Sequence, residues 1–199
     1  MDSKKLYSAL YALTAKKGTR YPSLAGVFFD GDSIVASDAN AIVVAKTEYP
    51  PEWEGKILNK AGKEINEKPL NYKGVLPIDP ERMIREESDL YDPILNLSGL
   101  KQALKMVPKS PDVDGERVVL EIAGSAFYPP LLLKALAIFE ALEQTPRVFI
   151  YTAGVGVHNK AYLLSKEGSL GVVCPVLKCP VGNHSQKFSI EEALCADLL

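Results

Sequence analysis

Lys4, Lys5, Lys16, Lys17 and Arg20 are the residues of this 199-residue chain whose type and spacing most directly suggest chemistry. Cations gathered around one amphipathic stretch can hold phosphates without reading bases, which gives weak, salt-sensitive and mobile association. The same pattern fits a solvated helix face, and the residues alone do not separate the two. Lys101, Lys105 and Lys109 form a second, sparser basic set. Cys174, Cys179 and His184 stand in a C-x4-C-x4-H arrangement with Cys195 beyond, and three thiolates with one imidazole could satisfy tetrahedral zinc. That spacing fits no familiar zinc module, so neither a metal nor any other cofactor is expected.

Enzymatic signatures are sparse. The chain has no glycine-rich phosphate loop, no strand-serine-helix elbow and no helical pair of histidines. With His158 and His184 as its two histidines, acid–base chemistry through imidazole has few options. The paired acids Glu86-Glu87 and Glu191-Glu192 read as solvated helix charge. A non-enzymatic protein is expected.

Composition bounds the class. At 47% hydrophobic and 24% charged residues the chain is an ordinary globular protein, and its net charge of −2 excludes a wholly basic nucleic-acid binder while leaving room for a local basic face. No apolar run approaches the roughly 20 residues needed to span a bilayer, and "MDSKKLYSAL" lacks the apolar core of a secretory signal. Three cysteines crowded toward the C-terminus argue against a disulfide framework. A cytoplasmic protein without membrane contact is expected.

The elements that must position these residues follow from periodicity. Leu6, Leu10 and Leu13 recur at helical spacing, predicting a helix over Ser3 to Lys17 with Gly18 at its C-terminal cap. Val27 to Phe29, Ile34 to Ala36 and Ile42 to Ala45 then read as a meander, its first turn at Asp30-Gly31 and its second at "SDAN", a local bend that needs no catalytic aspartate. The middle is mixed: short strands around Ala61-Gly62, a short helix at "DPERMIREES" entered through Asp79 and Pro80, another capped by Ser98, and a strand at "RVVLEIAG". Pro129 and Pro130 open an apolar helix, "PLLLKALAIFEAL", followed by strands at "RVFIYTA", "KAYLLSK" and "LGVVCPV". Helix and three antiparallel strands therefore occur twice, which predicts an α+β fold of two similar halves with helices on one side of the sheets.

The residues that carry this repeat resemble a known family. "LYSALYALTAKKGTRYPSLAGVFFDGDSIVASDANAIVVAKTEYP" is similar to the opening of the bacterial DNA polymerase III beta subunit, the sliding clamp: a helix, a basic loop, a Pro-x-Leu entry to the first strand, a glycine hairpin and a Ser37-Asp38 step. The run from Phe127 resembles the end of the same family, with Val173-Cys174-Pro175 standing at its final hydrophobic-Met-Pro step, and "NYKGVLP" is similar to a clamp domain junction. The chain departs from the pattern in being much shorter, in its middle, and in continuing past that final step.

The resemblance implies a DNA clamp-like, processivity-factor fold, with residues 1–180 as one clamp-like domain elaborated over about 50–116, and 181–199 as a tail. Within the tail, "FSIEEALCADLL" can form a short amphipathic helix through Ile190, Leu194 and Leu198. It further implies that Lys4, Lys5, Lys16, Lys17, Arg20, Lys101 and Lys105 contact double-stranded DNA non-specifically. Cys174, Pro175, Val176 and Leu177 would border a groove for a peptide of a polymerase or other replication protein, with a core strand and its exit as the plainer reading. A homo-oligomer is implied as well. Rings of this fold use six domains, so a one-domain chain would need six copies and a two-domain chain three. The alternative is a clamp-fold interaction module that forms no ring, of phage or mobile-element type, binding a replication protein; an enzyme of unrecognised type is a third reading.

Overall fold

The computed structural model describes residues 2–16, 18–76, 91–93, 97–106, 119–122, 125–151, 160–175 and 187–189. Helix α1 runs Ser3–Leu13, and Asp2, in extended conformation ahead of it, accepts the Lys4 and Lys5 backbone N–H groups at 3.0 and 3.3 Å. These are donors that the first turn leaves without helical partners. The helix stops at Leu13, short of the expected Lys17, because Thr14 is already extended and the next donor, Ala15 N–H, bonds the Leu24 carbonyl at 2.8 Å. Gly18, at φ +86°, serves the following turn, closed by Thr19 N–H on the Lys16 carbonyl at 3.2 Å. Lys16 and Arg20 consequently sit in the α1–β1 connection and not on a helix face; Lys17 lies outside the described residues.

The meander follows as β1 (Val27–Asp30), β2 (Ser33–Ser37) and β3 (Ala41–Lys46). Asp30 pairs with Ser33 across the first turn, where Gly31 takes φ +64°. Strand β4 (Ile57–Leu58) pairs with the outer edge of β1, and the chain can come this close because Gly26 has no side chain. A Cβ there would lie 2.7 Å from the Leu58 carbonyl oxygen. Next come β5 (Tyr91–Pro93), α2 (Leu97–Met106), β6 (Val119–Ile122) and β7 (Ser125–Phe127). Helix α2 begins at Leu97, so Ser98 lies inside its first turn and not ahead of it. The helix expected at "DPERMIREES" lies outside the described residues.

Helix α3 (Pro129–Ala141) opens on its two prolines, as the sequence predicts, and is buried on most sides. It ends in a Schellman cap: Gln144 N–H bonds the Phe139 carbonyl and Glu143 N–H the Glu140 carbonyl, with Glu143 at φ 60°. Strands β8 (Arg147–Tyr151), β9 (Ala161–Leu164) and β10 (Leu170–Val173) complete the second copy, and β11 (Lys187–Ser189) is the last described element.

Two halves are joined edge to edge. One eight-stranded antiparallel sheet runs β4-β1-β2-β3-β10-β9-β8-β5, with the copies meeting where Ala41 faces Val173 and Val44 faces Leu170. Helices α1 and α3 pack on each other across one face. The expected α+β architecture, two helix-plus-meander halves with those helices on one side, is observed. Strict alternation assigns the strands' side chains: Val27, Phe29, Ile34, Ala36, Val43, Ala45, Ile150 and Leu163 point to the helices, with Leu6, Leu10, Leu132 and Phe139 opposite. Val35, Ile42, Val44, Leu170 and Val172 point the other way, where Tyr72 covers them. Both faces are buried, which is why β3 reads as the unbroken apolar run "AIVVA".

A second, three-stranded sheet has the order β11-β6-β7, with β11 parallel to β6. Phe188 and Ser189, expected to open the tail's amphipathic helix, instead pair with Leu120 and Glu121. A waiting strand edge and the β-propensity of phenylalanine outweigh a helical period that begins only at Ile190. Residues 190–199 lie outside the described residues.

Candidate functional site

The "SDAN" bend builds one end of an apolar pocket. Asp38 Oδ1 accepts the N–H groups of Asn40 and Ala41 at 3.0 and 2.9 Å, while the Ser37 hydroxyl donates to the Ala41 carbonyl at 2.8 Å. This double staple holds Ala39 at φ 77°, a left-handed conformation costly for a residue with a Cβ. Asp38 is thereby committed to the turn, as the sequence suggests. The turn is tied to the other half by Cys174 N–H, which bonds the Asn40 carbonyl at 2.8 Å as the chain leaves β10. Replacing Asp38 by Ala should cost about 1–2 kcal/mol, since two backbone donors lose a charged acceptor; a thermal melt checks this.

The pocket encloses about 230 Å³. Ile42 of β3 and Val172 of β10 line it together with Cys174; Tyr21 and Leu24 come from the α1–β1 connection, Leu70 and Val75 from the segment after β4. Ser37, Asn40 and Lys160 supply its polar groups. Four large apolar side chains stand exposed among the described residues, and three of them meet here: Tyr21 at 52%, Leu70 at 40% and Val75 at 51%. Their convergence on one pocket sets them apart from singly scattered exposed hydrophobics, which need no explanation. The Arg20 guanidinium lies 5.9 Å from the centre of the Tyr21 ring, a cation beside this apolar wall. Burial pushes the Cys174 thiol up from its ordinary value, with Lys160 opposing, so at neutral pH it is a protonated, half-buried apolar contact.

Of the four residues expected to border a groove, Cys174 lines the pocket and Pro175 follows it, half-buried. Val176 and Leu177 lie outside the described residues. The sequence reading missed Tyr21, Leu24, Leu70 and Val75. "YPSL" is legible as a strand entry, but nothing local shows that residues fifty positions apart along the chain share a wall.

A basic face lies on the helix side. Lys4, Lys5, Ser8 and Ala12 are exposed along α1, and with Ala9 and Ala137 they line an open, shallow groove between α1 and α3. Asp2 and Glu140 bring carboxylates to the same groove. Lys101 forms an ion pair with Glu140, so its ammonium is committed to the protein, whereas Lys105 is exposed one turn on. Lys109 lies outside the described residues, as do Cys179, His184 and Cys195 of the weighed zinc pattern. Among the described residues no three His, Cys, Asp or Glu side chains cluster as metal ligands would, and no helix is long and apolar enough to cross a membrane.

No family model matches the sequence, and no curated protein does. Solved structures do match. A beta sliding clamp of C. crescentus superposes with a TM-score of 0.59 at 12% identity, covering 89% of this chain and 64% of its own. A DNA polymerase sliding clamp from Pseudomonas aeruginosa gives 0.52 at 14%, over 88% and 63%, and the DNA polymerase III subunit beta of the same organism gives 0.51 at 14%, over 87% and 63%. The chain has a sliding-clamp-like fold and spans less than two thirds of the length of those clamps.

Proposed function

We propose that this protein is a non-enzymatic, clamp-like tethering factor: it holds duplex DNA non-specifically through basic side chains and takes a short apolar segment of a polymerase or other replication protein into the pocket. The observation that carries the reading is the meeting of Tyr21, Leu70 and Val75 beside the Val172-Cys174 exit of β10, on a fold shared with sliding clamps. Lys160 at the pocket and Arg20 beside Tyr21 favour a partner segment that carries an acidic residue next to its apolar anchors. Lys4 and Lys5 support the DNA half. They are exposed side by side on the first turn of α1, on the helix face of the fold and beside the groove between α1 and α3. In this proposal the described elements form a single clamp-like domain, and the protein works in the cytoplasm.

A second reading, a clamp-fold module that forms no ring, is favoured by the ends of the large sheet. Strand β4 has two residues and its outer side is taken by a bridge from Leu58 to Glu64; among the described residues β5 has three and contains Pro93. Short edges with proline are those that resist pairing with another sheet. Molar mass by light scattering during size exclusion, over a range of protein and salt concentrations, separates the two: a trimer or hexamer supports a closed ring, and a monomer or dimer supports the module.

The pocket has its own test. Leu70→Asp with Val75→Asp should weaken capture of an apolar, acidic peptide by about tenfold, because two desolvated contacts at the rim become charges. Both side chains are exposed, so the melting temperature should barely move. Equal peptide binding by fluorescence anisotropy would remove the pocket from the proposal.

A further inference from the structure

The segment carrying Leu70 and Val75 is a strap with little backbone pairing to the rest of the fold among the described residues. After Ile65 N–H bonds the Ile57 carbonyl at 2.8 Å, the described backbone hydrogen bonds of residues 67–75 run only within the strap: Glu67 to Ile65, Tyr72 to Leu70 and Val75 to Tyr72. Its deepest fastening among the described residues is the Tyr72 side chain, with Leu76 packed against the same buried cluster at the strap's far end. The ring is 5% exposed, packs among Val35, Ile42, Val44, Leu170 and Val172, and meets Phe28 edge-on at 6.3 Å. Its hydroxyl donates to Asp30 Oδ2 at 2.7 Å, and the same oxygen receives the Lys73 ammonium at 2.8 Å. Asp30 points to this face because it follows Phe28 at strand spacing.

We propose that residues 65–76 form a movable wall of the apolar pocket, and that the Tyr72-Asp30-Lys73 latch is the positioning device that sets how far the wall stands open. Leu70 and Val75 flank Tyr72 in sequence and line the pocket, so any loosening of the latch moves that wall. The significance of the wall for partner capture rests on the peptide-docking reading above; its coupling to the latch does not. Lys73 and Tyr72 hold the Asp30 carboxyl below the usual carboxylate range, while burial and Asp30 keep the Tyr72 phenol protonated well above its ordinary value. A depressed carboxylate loses its contribution as pH falls through its folded value, and a raised phenol as pH rises through its own, so the latch is at full strength over the whole range from about pH 4 to about pH 10 set by the groups' ordinary values, and fails only outside it.

Cys174 reports the wall without any partner. In the full chain carrying Cys179→Ser and Cys195→Ser, the rate of alkylation by N-ethylmaleimide at neutral pH reads access to the one remaining thiol. Tyr72→Phe keeps the ring and removes the hydroxyl; Asp30→Asn removes the carboxylate. Each should raise the rate about tenfold, the scale expected for losing a hydrogen bond to a charged acceptor. Lys73→Ala, whose side chain is exposed, should give a smaller rise in a protein certain to tolerate it, and Leu70→Ala with Val75→Ala should match the latch variants with the latch intact. A thermal melt of each variant, little changed, separates wall movement from general unfolding. Parent-like alkylation rates in Tyr72→Phe, Asp30→Asn and Lys73→Ala would overturn the proposal. Faster alkylation with unaltered peptide binding would leave the latch standing and count against the docking reading instead.

Discussion

Reversing Lys4 and Lys5 together to Glu is expected to weaken association with duplex DNA about a hundredfold near 0.1 M salt and to flatten the dependence of log affinity on log salt by roughly 2. In the proposed function the substitution removes two phosphate contacts and puts repulsion in their place. Salt titrations of binding to a labelled duplex of arbitrary sequence read both quantities. The expectation is specific to position: Lys16→Glu, in the α1–β1 connection, should have a smaller effect, and Lys101→Glu should act mainly on stability, because its partner is Glu140. The melting temperature should move little, because the gain from acids at the helix N-terminus is opposed by repulsion from Asp2 and Glu140 in the same groove. Unchanged DNA affinity would show that the lysines are a solvated face.

Phe29→Ala should produce the largest loss of stability, about 3–5 kcal/mol, lowering the melting temperature by on the order of 10 °C for a chain of this size. Phe29 is fully buried and stands at the centre of a ring cluster: Tyr49 at 5.0 Å, Trp53 at 5.1 Å and Tyr7 at 6.4 Å. Those contacts tie β1 to α1 and to the 3-10 turn at Pro51–Trp53, so the cavity would open where three elements meet. The adjacent Phe28, half-buried on the opposite face against Tyr72, should cost less. A pair of thermal melts, Phe29→Ala against Phe28→Ala, checks the ranking and with it the assignment of the two sheet faces.

Much of this fold was legible locally. Leucines at helical spacing placed α1, prolines placed the start of α3, and glycine turns placed the hairpins, because each signal acts over a single turn of helix or pair of strands. The repeat of helix and three strands, being made of such local signals, was legible too. The end of α1 was not: its last turn is decided by Ala15 bonding Leu24, a competition between partners that local periodicity cannot weigh. Nor was β11, where an edge supplied by β6 overrides a helical pattern.

For the candidate site the division is sharper. Residue types alone marked Lys4, Lys5 and the Val173-Cys174-Pro175 step, since unusual charge or a family-like spacing can be read in line. The pocket itself exists only because β3 pairs with β10 and a strap from the middle of the chain is pinned to Asp30 by Tyr72. Its lining comes from five separate stretches, each of which looks like ordinary loop or strand when read alone. Chain order determined which elements could form; long-range pairing and burial, whose partners are not written next to one another, decided which exposed apolar side chains would share one surface.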